Sequence, residues 1–194
     1  MSSTGTPVAR SEVIVPSRVL GMALFIATEA LFFAGLISAF VVLRAQAIDW
    51  PPAGQPRLPI GVTGFNTLVL LASAWTMQQA AATLRRGEPQ VRRLIMITAA
   101  LGALFVGIQG YEWVNLVRYG LTTGSSLYGA TFYTIVGAHG LHVLAAVISL
   151  IAAALIAPAR SREGTDRTWL DPFRMYWFFV AGVWPVLYVL VYLS

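Results

Sequence analysis

From residue 19 onward the chain alternates long apolar runs with short breaks rich in proline, glycine and arginine. Five runs, at about 19–44, 60–84, 94–118, 130–157 and 173–193, are long enough to cross ~30 Å of hydrocarbon at ~1.5 Å of helical rise per residue. Lipid offers no partner to backbone N–H and C=O groups, so each run is predicted to be an α-helix, whose backbone satisfies itself. The breaks hold residues that stop helices: Trp50-Pro51-Pro52-Ala53-Gly54 with Pro56 and Pro59, then Arg85-Arg86-Gly87-Glu88-Pro89, then Pro158. Asp171-Pro172 is expected to open the last helix, with Asp171 as the cap and Pro172 at the first helical position. Pro185 cannot donate to the carbonyl of Ala181 and is expected to bend that helix. The predicted fold class is an all-α integral membrane protein with five transmembrane helices: a polar tail at 1–18 and a five-helix domain at 19–194. No small-residue cleavage site follows a short apolar segment, so the tail is read as uncleaved.

Composition agrees. Hydrophobic residues make up 57% and charged residues 11%, and the mean hydropathy of +0.71 lies far outside the soluble globular range. All thirteen basic residues are arginine. Ten (Arg10, Arg18, Arg85, Arg86, Arg92, Arg93, Arg160, Arg162, Arg167, Arg174) fall on the side of the N-terminal tail, and three (Arg44, Arg57, Arg118) fall opposite. The positive-inside rule therefore predicts a cytoplasmic N-terminus and an external C-terminus. In that topology Trp50, Trp113, Tyr119, Tyr128 and Tyr192 are expected to form an aromatic belt at the outer interface. The arginines are scattered between apolar spans and make no basic face for nucleic acid. Without cysteine the chain has no disulfide, thiolate metal site or thioether haem attachment. The loops at 45–59 and 159–172 are too short to fold as separate domains.

Ionisable groups inside lipid are expensive and therefore informative. Glu29 stands ten residues into the first span, and His139 and His142 stand nine and twelve residues into the fourth. Because those spans run in opposite directions, all three reach mid-membrane, and Glu29 is expected to pair with one histidine. Glu112 is shallower and shares a face with Gln109. His and Glu can ligate a metal or haem, but these two histidines are the only ones in the chain, three apart on one helix. They cannot supply opposite axial ligands to one haem, and there is no Glu-x-x-His pair of the di-iron kind. A metal or haem site therefore ranks last, behind a proton relay and, first, plain helix-to-helix hydrogen bonding worth ~0.6–2 kcal/mol per pair. Small residues spaced by four (Ala34/Ser38, Gly35/Ala39, Ala103/Gly107) are expected to let helices approach closely.

Several segments, in this order and spacing, resemble one family. They are Ala27-Thr28-Glu29-Ala30-Leu31-Phe32-Phe33-Ala34-Gly35, Trp50-Pro51-Pro52-Ala53-Gly54, Phe65-Asn66-Thr67-Leu68-Val69-Leu70-Leu71-Ala72-Ser73, Gln109-Gly110-Tyr111-Glu112-Trp113, Tyr128-Gly129-Ala130-Thr131-Phe132-Tyr133, Gly137-Ala138-His139-Gly140-Leu141-His142-Val143 and Tyr176-Trp177. From Gly21 to its end the chain is similar to subunit III of haem-copper oxidases, in the five-span form that lacks two N-terminal helices of longer members. The resemblance implies a non-catalytic subunit of a bacterial cytoplasmic-membrane oxidase, without haem or copper of its own; those belong to partner subunits. It implies packing beside subunit I, with subunit II and a small subunit IV as further partners, phospholipid bound in a cleft, and support of proton uptake. It places Glu29, Glu112, His139 and His142 on the family's intramembrane polar positions, as structural or lipid-cleft residues, and Gln109 is grouped with them as Glu112's neighbour on the same helix face. Arg160, with Arg85 and Arg86, is the candidate for lipid headgroups. Where the family usually has a His and an Asp after Tyr-Trp, this sequence has Phe178 and Ala181, so those roles do not carry over. Close variants of the reading are a quinol oxidase subunit and the subunit-III-like companion of nitric oxide reductases. A stand-alone proton-coupled transporter using Glu29 and the histidines is the reading of a different class, disfavoured because five spans do not divide into paired halves.

Overall fold

The computed structural model describes residues 16–160 and 167–193, the side chains of 158–160 excepted. Five helices follow one another: α1 Ser17–Gln46, α2 Ile60–Arg86, α3 Val91–Arg118, α4 Leu127–Arg160 and α5 Asp171–Leu187, the last running into a π-helical turn, Tyr188–Tyr192. Each, with the π turn counted into the fifth, is long and apolar enough to cross a membrane, and no strand occurs among the described residues.

The helix ends show local chemistry at work. Helix α2 stops where Gly87 takes a positive φ of 76°. Its N–H reaches the Leu84 carbonyl and that of Glu88 reaches Thr83, which satisfies two carbonyls the helix leaves open. At α5 the expected cap is displaced by one position, because Asp171 is the first helical residue and Leu170 precedes it without a side-chain cap bond. The Asp171 carboxylate serves the helix end by charge, lying 3.3 Å from Arg85 and 3.5 Å from Arg174. Pro185 stands inside α5, and the helix changes from α to π hydrogen bonding three residues later, at Tyr188. A ring that removes one backbone donor makes such a change of register cheap.

Helices α2 to α5 pack as a tight bundle, and α1 lies along α4 and α5 with only Phe33 and Phe40 buried. The bundle is built with its polarity inward. Thr63, Asn66, Thr67, Ser73, Thr83, Thr98, Gln109 and His139 are buried, while Leu31, Phe65, Trp75 and Leu155 face outward. Two α5 indoles organise the interior. Trp177 lies over Gly102 and donates to Ser73 Oγ at 3.2 Å, and Trp184 donates to Thr67 Oγ1 at 2.9 Å. Asn66 donates to the Phe105 carbonyl at 3.0 Å and the hydroxyls of Thr76 and Thr98 lie 2.8 Å apart, tying α2 to α3. Where apolar burial gives no net drive because the solvent is itself hydrocarbon, such bonds and close packing carry the association.

One sequence expectation is corrected here, and a second is not met within this chain. Of the five aromatics expected to form a belt, Tyr119 is 74% exposed, but Tyr128 and Tyr192 are buried. Tyr192 takes a hydrogen bond from Gln109 Nε2 at 2.9 Å, and Tyr128 meets Trp50 edge-on at 5.1 Å. Depth along a helix was right for these residues, but helix rotation turns them inward. The small residues Ala34, Gly35, Ser38, Ala39, Ala103 and Gly107 all face outward. The close approach between helices falls instead at Gly102, where a Cβ would stand 2.4 Å from Trp177 and 2.8 Å from Val147.

Two outcomes follow. Gly102→Ala should cost about 1–3 kcal/mol by overpacking, lowering the thermal unfolding midpoint of the purified protein, whereas Gly107→Ala, with nothing within 4 Å, should leave it unchanged. Thr67→Val should strand the Trp184 N–H at a cost of about 1–3 kcal/mol, and Thr67→Ser should restore most of the loss in the same measurement.

Candidate functional site

Of the five intramembrane residues singled out from the sequence, the structure brings two into direct contact. Glu29 on α1 and His142 on α4 stand near the middle of their helices and meet directly: Glu29 Oε2 is 2.7 Å from His142 Nε2. The other ring nitrogen, Nδ1, lies 2.6 Å from the Ala138 carbonyl one turn back on α4, and since a carbonyl can only accept, Nδ1 carries the proton. A single further proton is then shared between Nε2 and the carboxyl group. Whether it sits on glutamic acid or on imidazolium, the pair is neutral overall, which is the condition for low cost in hydrocarbon. Both side chains are about one-fifth exposed, and the His142 ring is flanked by Phe32, centroids 6.0 Å apart, and by Phe33 at 5.0 Å.

His139 is placed otherwise. It is 1% exposed and turned into the bundle, stacked on Trp184 at 5.0 Å with Phe33 and Phe105 edge-on at 6.2 Å. Neither of its ring nitrogens hydrogen-bonds a described residue. Phe33 therefore stands between the two histidines, and the three-residue spacing that put both near Glu29 in depth separates them in direction. Ala181, where the family usually has Asp, is 2% exposed on the buried face of α5 that also carries Trp184. It brings no polar atom to that face. Phe178 is 37% exposed and looks outward.

Gln109 and Glu112 also differ. Gln109 is buried and bonded to Tyr192, while Glu112 is half-buried and gains no hydrogen bond to a described residue. Among the described residues no group of three or more His, Cys, Asp or Glu side chains is placed to hold a metal ion. At the arginine-rich end Arg85 pairs with Asp171 at 3.3 Å and Arg86 with Glu88 at 2.6 Å, both guanidinium groups more than half exposed. The side chain of Arg160 lies outside the described residues. Sequence reasoning missed the indole-to-hydroxyl bonds of Trp177 and Trp184. Their signal was present as two tryptophans seven apart on one helix facing Thr67 and Ser73 on another.

Around this site α1 is held by aromatic contacts as well. Phe33 meets Phe179 at 6.2 Å, Phe25 meets Tyr176 at 5.6 Å, and Phe40 meets Trp50 at 5.7 Å. The Glu29–His142 bond is thus the polar link at mid-depth in a seam of mostly aromatic contacts.

Comparison with known proteins agrees with this architecture. The family model for cytochrome c oxidase subunit III matches residues 8–194. Cytochrome c oxidase subunit 3 of Synechocystis sp. is 34% identical over 182 residues, 91% of this chain and 75% of the relative. That of Thermostichus vulcanus is 32% identical over 91% of this chain and 87% of its own length. A probable cytochrome c oxidase subunit 3 of Mycobacterium leprae is 37% identical over 89% and 86%. Five membrane-crossing helices and bacterial relatives of this kind make it a multi-pass protein of the bacterial cytoplasmic membrane that works in a complex with other oxidase subunits. The chain belongs to the cytochrome c oxidase subunit III family.

Proposed function

We propose that this chain is the non-catalytic subunit III of a cytochrome c oxidase, packed on subunit I with subunit II and a small subunit IV nearby. In this reading it stabilises the catalytic subunit, binds phospholipid and supports proton uptake, with its arginine-rich end in the cytoplasm. The observation that carries it is the Glu29–His142 bond, a neutral pair that fastens α1 to the bundle at mid-depth. Phe33 stands between that pair and His139, so the polar groups do not form one hydrogen-bonded file, which favours a fastening role over a relay. The small residues of α1, Gly35 and Ala39 among them, face outward and leave a surface on which a neighbouring helix can approach closely. The exposed arginines Arg85, Arg86, Arg92 and Arg93 crowd the end where anionic headgroups of the cytoplasmic leaflet would lie. Electron transfer and oxygen reduction belong, in this reading, to the haem and copper of the partner subunits.

Two measurements test it. Tagged protein purified in mild detergent should bring down a haem-containing subunit I, and recovery as a lone, haem-free chain would refute the assignment. Glu29→Ala should reduce retention of this subunit on the complex by about three- to thirtyfold, from a loss of ~0.6–2 kcal/mol, and shorten sustained turnover. Its haem absorption bands should stay in place, and a shifted or missing band in a fully assembled complex would mean a ligand role instead.

A further inference from the structure

At the end of the bundle opposite Arg85 and Arg86, the loop between α1 and α2 borders an open cavity of about 680 Å³, within the ~300–1,000 Å³ range of small-ligand sites. Asp49, Trp50, Arg57, Ile60, Tyr128 and Leu193 are among its walls. The loop is held in shape. Gln55 N–H reaches the Pro52 carbonyl at 3.1 Å around Gly54, whose φ is 84°, and Trp50 meets Phe40 at 5.7 Å and Tyr128 at 5.1 Å, both edge-on. The cup is therefore formed before anything enters it.

Two groups in these walls carry opposite charges and meet no partner. Asp49 and Arg57 are both exposed, and neither makes an ion pair or hydrogen bond with the other or with any described residue. The cup thus offers an anion and a cation that do not close on each other. An apolar track begins at the same place. Leu193, Val189, Val186 and Gly182 follow one another down one side of the last helix at steps of four, three and four. The three side chains are about half-exposed, and nothing lies within 4 Å of where a Cβ on Gly182 would stand. From Leu193, in the wall of the cup, the track descends roughly 16 Å by helical rise. That is about half of the ~30 Å hydrocarbon core, the depth of one leaflet.

Cup and track together narrow the occupant. A water-soluble molecule would use the cup and leave the track unused. An anionic lipid would satisfy Arg57 and be repelled by Asp49. We propose that the cup and track bind a phospholipid with an ethanolamine headgroup, in the outer leaflet of the orientation proposed above. Its phosphate accepts from the Arg57 guanidinium, its primary ammonium donates to the Asp49 carboxylate, and both bonds are charge-assisted. One acyl chain covers the track to the depth of its leaflet. Because the headgroup carries both signs, it answers both side chains and adds no net charge. The site rests on the reading of this chain as a phospholipid-binding subunit and deepens it: the arginine-rich end draws anionic headgroups, and this end selects a zwitterionic one.

The test is competition between phosphatidylethanolamine and phosphatidylglycerol of equal chain length on the intact purified complex, counted by native mass spectrometry. Wild-type complex should hold one phosphatidylethanolamine per copy of this chain that phosphatidylglycerol at equal concentration does not displace. Arg57→Gln should weaken that binding about tenfold, through loss of a charge-assisted bond. Asp49→Asn should let phosphatidylglycerol compete on equal terms. Both side chains are exposed in a loop, so haem content and assembly should not change. A photo-cross-linker carried on Val189→Cys, in a chain with no cysteine of its own, should capture lipid. The site is overturned if phosphatidylglycerol displaces phosphatidylethanolamine from the wild type, if neither loop substitution alters binding, or if the probe at position 189 captures another polypeptide. Phospholipid that stays bound regardless of these substitutions would sink this site alone, whereas a wild-type complex that holds no phospholipid would sink the phospholipid role with it.

Discussion

Hydrocarbon accepts no hydrogen bonds, and the structure is organised by that fact more than by any other. Its sharpest expression is the bond between Glu29 and His142. A carboxyl group alone at mid-depth would be costly, and so would a second polar ring beside it, but one shared proton makes the two a neutral unit. The remaining imidazole N–H is taken by the Ala138 carbonyl of the same helix. Every donor in the pair is thus accounted for without water, and α1 is fixed in depth and rotation at one point.

The same rule shapes the tighter part of the bundle. In a soluble protein Thr67, Ser73 and Thr98 would be found at the surface and Leu31 or Leu155 inside; here the arrangement is reversed. The two α5 tryptophans show why the reversal holds together. Each fills volume between helices with its ring and commits its one donor to an α2 hydroxyl, so the polar atoms that set helix register are the ones buried deepest. Gly102 allows this by yielding space to the Trp177 ring.

Depth was legible in the sequence and direction was not. Counting rise along oppositely directed spans brought Glu29 level with both histidines, yet could not choose between them. A three-residue step leaves the two side chains only about 60° apart around the helix, yet that is enough for His142 to reach Glu29 on α1 while His139 stacks on Trp184. The same limit explains Tyr128 and Tyr192, correctly placed near one end of the bundle but rotated inward, and the outward-facing pairs Gly35/Ala39 and Ala103/Gly107. In an ordinary amphipathic helix the apolar stripe reveals rotation. These spans are apolar on nearly every side, so that signal is weak, and only sparse polar residues such as Thr63, Thr67 and Asn66 mark the inner face.

The contrast between α1 and the other helices carries the last step. Helix α1 buries just Phe33 and Phe40, although it is among the longest and most apolar of the five. In water such a face would be driven onto the bundle by its own area; in lipid it gains nothing by leaving one apolar medium for another. What positions α1 must therefore be local and specific: the Glu29 bond, the seam of Phe25, Phe33 and Phe40 against Tyr176, Phe179 and Trp50, and the Arg18 bond to Thr168 at 2.7 Å. A helix held by so few points has most of its surface open to another chain. A subunit of a larger membrane complex needs this division between a self-sufficient core and an element whose surroundings are completed by its neighbours.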